Sequence, residues 1–254
     1  AETAAKRKPA SSRQPVSNTD ANTVQDILTN LKIVDWDLLF IGDGSGSGWE
    51  GACGWANVLV DKLTREYTLI SGALNCSSVN VAELMPYLHA LNYFHATQGR
   101  QRLKTRAKFF QVHIVTDSKF TADSGTQACD VTQHLPGVHQ ALWAAVREFT
   151  KFGYVFHWHW QGRSTTVFNQ CCDLVASVAR RSVIDTTTGK PPLLHREELL
   201  GAADAMRRLA RTNKDEGSQP TIEAGLRALQ LLLFGELPYA EQLIAAMSNV
   251  TLRD

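Results

Sequence analysis

The chain has no apolar run long enough to span a bilayer and no secretory apolar core, so no membrane partner is expected. It also lacks any C-x-x-C spacing. Its five cysteines (Cys53, Cys76, Cys129, Cys171, Cys172) form an odd, unpatterned set with two of them adjacent. That argues against a disulfide framework and for reduced thiols in an intracellular, reducing compartment, cytoplasm or nucleus. His157 and His159 lie near Cys171 and Cys172, but adjacent cysteines on a helix point in different directions, so no zinc is expected. Internal repeats are absent. Net charge is nearly absent too, at +1, and does not by itself announce a nucleic-acid partner. Acids are missing locally, however. Lys6, Arg7, Lys8 and Arg13 face only Glu2 within residues 1–15, and residues 100–108 carry Arg100, Arg102, Lys104, Arg106 and Lys108 without an acid.

What is present suits one sizeable domain with extensions, or two small domains: 254 residues, with six Trp and ten Phe to fill a core. Residues 1–22 are rich in Ala, Ser, Lys, Pro and Asn without apolar periodicity and read as a disordered basic tail. A short helix is expected over 23–33, with Thr23 as its cap. Strands follow at 36–42, 51–61 and 65–74, the last two a hairpin turning at Lys62–Thr64. The first ends at the flexible DGSGSG. A helix over 80–96, a strand at 110–117, helices near 119–124 and 136–151, a strand at 154–161 and a helix over 168–181 complete the pattern. The order β-β-β-α-β-α-β-α implies an antiparallel meander followed by parallel pairing, hence an α/β fold on a mixed five-stranded sheet. This domain covers 23–184. Residues 185–194 read as a linker, and 195–254 as a helical C-terminal extension with helices near 196–211, 221–234 and 238–248.

Four acids stand where strands end or helices face those ends: Asp43 in FIGDGS, Glu83 in NVAELM, Asp117 in IVTDSK and Asp173 in NQCCDLVA. Alone, each has an ordinary explanation. An Asp after a strand forms turns or caps helices, and Glu83 suits the first turn of a helix, opposite the dipole. Together they make sense if they converge, because crowded carboxylates repel unless cations neutralise them.

With these motifs in this order, residues 36–182 resemble the ribonuclease H family, both type I enzymes and the retroviral kind. The resemblance rests on D-G-S (Asp43-Gly44-Ser45), A-E-L (Ala82-Glu83-Leu84), T-D-S (Thr116-Asp117-Ser118), Asn169 four residues before Asp173, and the loop glycine Gly162. It implies an endonuclease that hydrolyses the RNA strand of RNA–DNA hybrids, with Asp43, Glu83, Asp117 and Asp173 holding two Mg²⁺ ions that Mn²⁺ can replace. Two such ions about 4 Å apart serve both ends of an in-line displacement. It further assigns Gly44, Ser45, Ser78, Asn80 and Asn169 to substrate binding. Ser78 matches a phosphate-contacting position and Asn80 a minor-groove position, while helix capping is the ordinary reading of both.

The chain departs from that pattern in two places. Arg163 follows the loop glycine where the family has His; it is counted here with the catalytic residues, but an arginine stays charged and cannot shuttle a proton. Residues 119–140, where the family's basic protrusion lies when present, contain one Lys and no Arg. The basic run 100–108 joins the Glu83 helix to the Asp117 strand, so it belongs at the opposite end of the sheet. It reads either as a solvated loop or as a second nucleic-acid or partner contact. Two rival functions remain: a nuclease on other nucleic acid, as in related resolvases, integrases and exonucleases, and a non-catalytic structural or nucleic-acid-binding component of a larger assembly. D-G-S and A-E-L favour the hybrid nuclease over the first. Arg163 and the C-terminal helices, a candidate protein-docking segment, keep the second open.

Overall fold

A computed structural model of the chain describes residues 23–46, 51–74, 78–106, 108–126, 137–163 and 166–188, together with Arg211. The expected basic tail and, Arg211 apart, the C-terminal helices lie outside the described residues. The sheet has five strands: β1 (Leu38–Gly46), β2 (Cys53–Asp61), β3 (Tyr67–Leu74), β4 (Phe110–Thr116) and β5 (Tyr154–Trp160). Their order is β3-β2-β1-β4-β5, with the first three antiparallel and β1-β4-β5 parallel. This is the mixed sheet expected from the alternation of elements.

The helices are α1 (Val24–Asn30), α2 (Val79–Phe94), α3 (Arg100–Thr105), α4 (Lys119–Thr126), α5 (Gly137–Lys151) and α6 (Val167–Thr188). Central strand β1 is apolar at every position before its glycines because both of its faces are covered. Leu38 and Phe40 join Leu84, Tyr87 and Leu91 of α2 and Trp143, Val146 and Phe149 of α5 in one buried layer. Leu39 and Ile41 face Val175, Ala176 and Val178 of α6 and Ile27 and Leu28 of α1 in the other. Helix α1 begins at Thr23 as expected: its Oγ1 accepts the Asp26 amide at 3.1 Å while Asp26 accepts the Thr23 amide at 2.9 Å.

Three expected boundaries move. Strand β1 does not stop at residue 42: pairing with β2 continues through Asp43↔Ala56 to Gly46↔Cys53, so cross-strand hydrogen bonding overrides the weak strand preference of glycine and serine. Asp43 therefore lies inside a strand. The basic run is not a loop. Helix α2 passes through a π-helical turn, His95–Gly99, into α3, and Arg102 and Arg106 form ion pairs with Asp61 and Asp37. Helix α6 runs to Thr188, four residues into the segment read as a linker.

Candidate active site

Parallel pairing of β1 with β4 ends at Ile41↔Val115. Asp43 and Asp117 each follow that last rung by two residues, side by side at the carboxyl end of the central strands, where ligands of open α/β sheets bind. Glu83 arrives from α2. It is the fifth residue of that helix, beyond the first turn, so the dipole-opposing role does not apply. A Cβ on Gly44 would collide with the backbone of Ala82 and Glu83, and only glycine lets helix and strand approach this closely. Pro86 adds to the fit: lacking an N–H, it leaves the Ala82 carbonyl without its usual helical donor just where Gly44 abuts it.

Ligand oxygens of Asp43, Glu83 and Asp117 lie within 4.8 Å of one another. Asp43 Oδ1 accepts the Gly44 amide at 2.8 Å. Asp43 Oδ2 and Glu83 Oε2 are buried and have no hydrogen-bond donor. Burial, followed by the charges of Glu83, Asp117 and Asp173, pushes the Asp43 carboxyl up to about 9, with Arg163 opposing. Burial and then Asp117 push Glu83 up to about 8, with Arg163 and the Gly44 amide opposing. Two buried acids that resist ionising, with oxygens aimed at one point, need either protons or a cation. An all-oxygen, carboxylate-rich set fits a hard divalent ion such as Mg²⁺ or Mn²⁺.

Asp173, on α6, stands apart from this trio. Its side chain is 40% exposed, and Arg163 lies between it and Asp117. The guanidinium Nε donates to Asp117 Oδ2 at 3.3 Å, and Nη2 is 4.0 Å from Asp173 Oδ1. With 67% of its side chain exposed, Arg163 is a solvent-facing counter-ion.

The remaining predicted residues surround the trio without joining it. Gly44 acts by close packing, as above. Ser45 Oγ is 3.3 Å from Ser177 Oγ, tying β1 to α6. Ser78 caps α2, its Oγ accepting the Val81 amide at 3.4 Å, and Asn80 is exposed on the first turn. Asn169 is buried one turn before Asp173, and its backbone N–H donates to Thr166 Oγ1 at 2.9 Å. The histidine and cysteine positions go elsewhere: His157 bonds Gln111, His159 bonds His113, and the Cys172 thiol donates to Ile41 O at 3.3 Å.

Two positioning residues were not anticipated. The buried Tyr87 hydroxyl, one helical turn after Glu83, is 2.8 Å from Gly42 O and 3.0 Å from Val115 O. It pins α2 across β1 and β4 just ahead of both aspartates. The i, i+4 spacing from Glu83 was the available clue. Trp160 Nε1 donates to the Asp117 carbonyl at 3.0 Å and fixes the backbone that carries that acid.

No curated protein matches the chain. Among solved structures, it is similar to the N-terminal RNase H domain of Rv2228c from Mycobacterium tuberculosis, at 17% identity over 61% of this chain and 99% of that one, with a TM-score of 0.45. It is similar to LC11-RNase H1 in complex with an RNA/DNA hybrid at 16% identity, over 58% and 99% of the two chains, with a TM-score of 0.47. RNase H1 of the halophilic archaeon Halobacterium salinarum is 19% identical, over 56% and 96%, with a TM-score of 0.44. The RNase H family model matches residues 35–181, the stretch that holds the whole sheet and all four acids. On that match the chain belongs to the RNase H family.

Proposed function

We propose that this protein is a divalent-metal-dependent endonuclease that cleaves the RNA strand of RNA–DNA hybrids. One observation carries the reading: in a chain of this family, three carboxylates converge at the carboxyl end of β1 and β4, two of them, Asp43 and Glu83, with a buried, donorless oxygen. Asp43, Glu83 and Asp117, with Asp173 from the α6 side, would hold the metal. Bound there, Mg²⁺ or Mn²⁺ would activate water and relieve charge on the leaving oxygen.

The chain's own residues supply position and charge. The Gly44 amide orients Asp43, Tyr87 and Gly44 fix Glu83 against β1, and Trp160 fixes Asp117. Arg163 offers a permanent cation at the solvent-facing edge, suited to a phosphate oxygen of an entering backbone. Ser78 and Asn80, at the start of α2, would meet one strand of a duplex, with Asn169 and Ser45 supporting the α6 side. Hybrid duplexes are recognised by shape and 2′-hydroxyl contacts, so cleavage without sequence preference is expected.

The test is incubation of the full chain with labelled hybrid, double-stranded RNA and single-stranded RNA, with Mg²⁺, Mn²⁺ or chelator. Hybrid-selective, chelator-sensitive cleavage that Asp43→Asn abolishes supports the reading; full activity of a folded Asp43→Asn protein overturns it. The ion pair of Arg163 with Asp117 favours one alternative, a non-catalytic hybrid-binding component whose acids are neutralised internally. Tight hybrid binding without cleavage in either metal would establish that alternative.

A further inference from the structure

At the end of the sheet opposite the carboxylates, the starts of β4 and β5 form the floor of an open hollow of about 490 Å³. Phe109 and Phe152 both line it, 65% and 52% exposed. Exposed phenylalanines are normally a liability, yet these two are held in place. Phe152 stacks on His95 at 4.9 Å between ring centroids, and the Phe110 amide donates to Gly153 O at 2.9 Å, locking the two segments together. Phe152 is therefore a fixed platform, and the backbone that carries Phe109 is held beside it.

The charge around them is one-sided. Asp61 is taken by Arg102, Asp37 by Arg106 and Glu148 by Lys151. Lys108, which lines the hollow, and Lys104, which follows the lining Leu103 on α3, are exposed and have no ionic partner among the described residues. Fixed aromatic faces beside uncompensated lysines are what a single-stranded nucleic acid needs: stacking surfaces for bases and cations for phosphates. An acidic peptide would use the lysines but has no planar groups for the rings.

We propose that this hollow binds single-stranded nucleic acid, with bases on Phe109 and Phe152 and phosphates at Lys104 and Lys108. It rests on the nucleic-acid reading above and extends it. Strand β4 spans about 20 Å at roughly 3.3 Å per residue, so the hollow lies too far from the carboxylates to touch the scissile bond. It would grip a single-stranded extension of the hybrid.

The test uses the full chain carrying Asp43→Asn, without divalent metal, and the anisotropy of a fluorescein-labelled oligothymidylate of about twelve nucleotides. Phe109→Ala with Phe152→Ala is expected to weaken binding at least about tenfold. Lys104→Gln with Lys108→Gln, which leaves the His95 stack untouched, is expected to flatten the log–log salt dependence by about 1.4. Parental affinity and slope in both double variants would overturn the proposal. So would binding of an oligoglutamate that depends on the same residues when oligothymidylate does not bind. Cleavage of a blunt hybrid by the same variants with Asp43 restored separates the two readings. If the blunt hybrid is cut normally while oligothymidylate binding is unchanged, only the hollow is refuted; if oligothymidylate binding falls but no hybrid is ever cut, the hollow stands and the nuclease reading falls.

Discussion

Arg163 donates from Nε to Asp117 Oδ2 at 3.3 Å, at the position where the family resemblance leads one to expect a histidine. The guanidinium thus shares Asp117, and more distantly Asp173, with any metal that binds there. Because it is largely exposed, the pair is screened by solvent and contributes little to stability. Its effect should fall on metal affinity. Arg163→Gln is expected to tighten Mn²⁺ binding by about three- to tenfold, read by calorimetry or electron paramagnetic resonance, with a melting temperature near the parent's. Weaker or equal metal binding in the variant would show that the guanidinium does not compete for these carboxylates.

Stability without metal should fall as pH rises. The folded carboxyl of Asp43 sits at about 9 and that of Glu83 at about 8, against ordinary values of 3.8 and 4.5. A raised carboxyl binds its proton more tightly in the native state, so its contribution is complete below pH 4 and is lost as pH climbs toward 8 or 9. Urea midpoints in chelator are expected to decline across that window. Asp43→Asn should flatten the decline and stabilise the protein at pH 8 by at least about 1.4 kcal/mol, the value of one pKa unit. Saturating Mg²⁺ should reverse the slope, because binding displaces the protons. A flat profile in chelator would mean that the two acids are more solvated than their geometry indicates.

The order of elements, the switch from antiparallel to parallel pairing and the convergence of Asp43, Glu83 and Asp117 were legible because they depend on local patterning: apolar runs of strand length, helical periodicity and short motifs. The errors came from pairing distant in sequence and from a local irregularity within a helix. Glycine and serine after Asp43 read as a strand end, yet pairing with residues 53–56 extends β1 past them. The basic run could have been read as helix, since arginine, glutamine, leucine and lysine are good helix formers; the π-helical turn at His95–Gly99 breaks the periodicity that would have joined α3 to α2. The reach of Arg163 to both Asp117 and Asp173 depends on how α6 lies on the sheet, which no motif encodes.

Tyr87 tests whether the site depends on that packing. Its hydroxyl is shared by two buried carbonyls from different strands. Tyr87→Phe keeps the ring and removes only the donor, at an expected cost of about 1–2 kcal/mol. Glu83, one helical turn away, should lose its fixed distance from Asp43. Hybrid cleavage is then expected to fall about tenfold in kcat with KM little changed, at a temperature where circular dichroism shows the variant folded. Unchanged kcat would mean that Gly44 packing alone positions Glu83.

Gly44 and Gly54 allow packing on opposite faces of the sheet to be compared. A Cβ at Gly44 would collide with Ala82 and Glu83 of α2, and one at Gly54 with Ala176 and Arg180 of α6. Either alanine overpacks a helix–strand contact, with an expected loss of about 1–3 kcal/mol or more. Only the first lies between Asp43 and Glu83. Gly44→Ala should therefore abolish tight Mn²⁺ binding, whereas an equally destabilised Gly54→Ala retains most of it, both measured on folded protein at low temperature. Equal loss of metal affinity in the two would mean that general loosening governs the site and that the close approach of β1 to α2 has no special part in it.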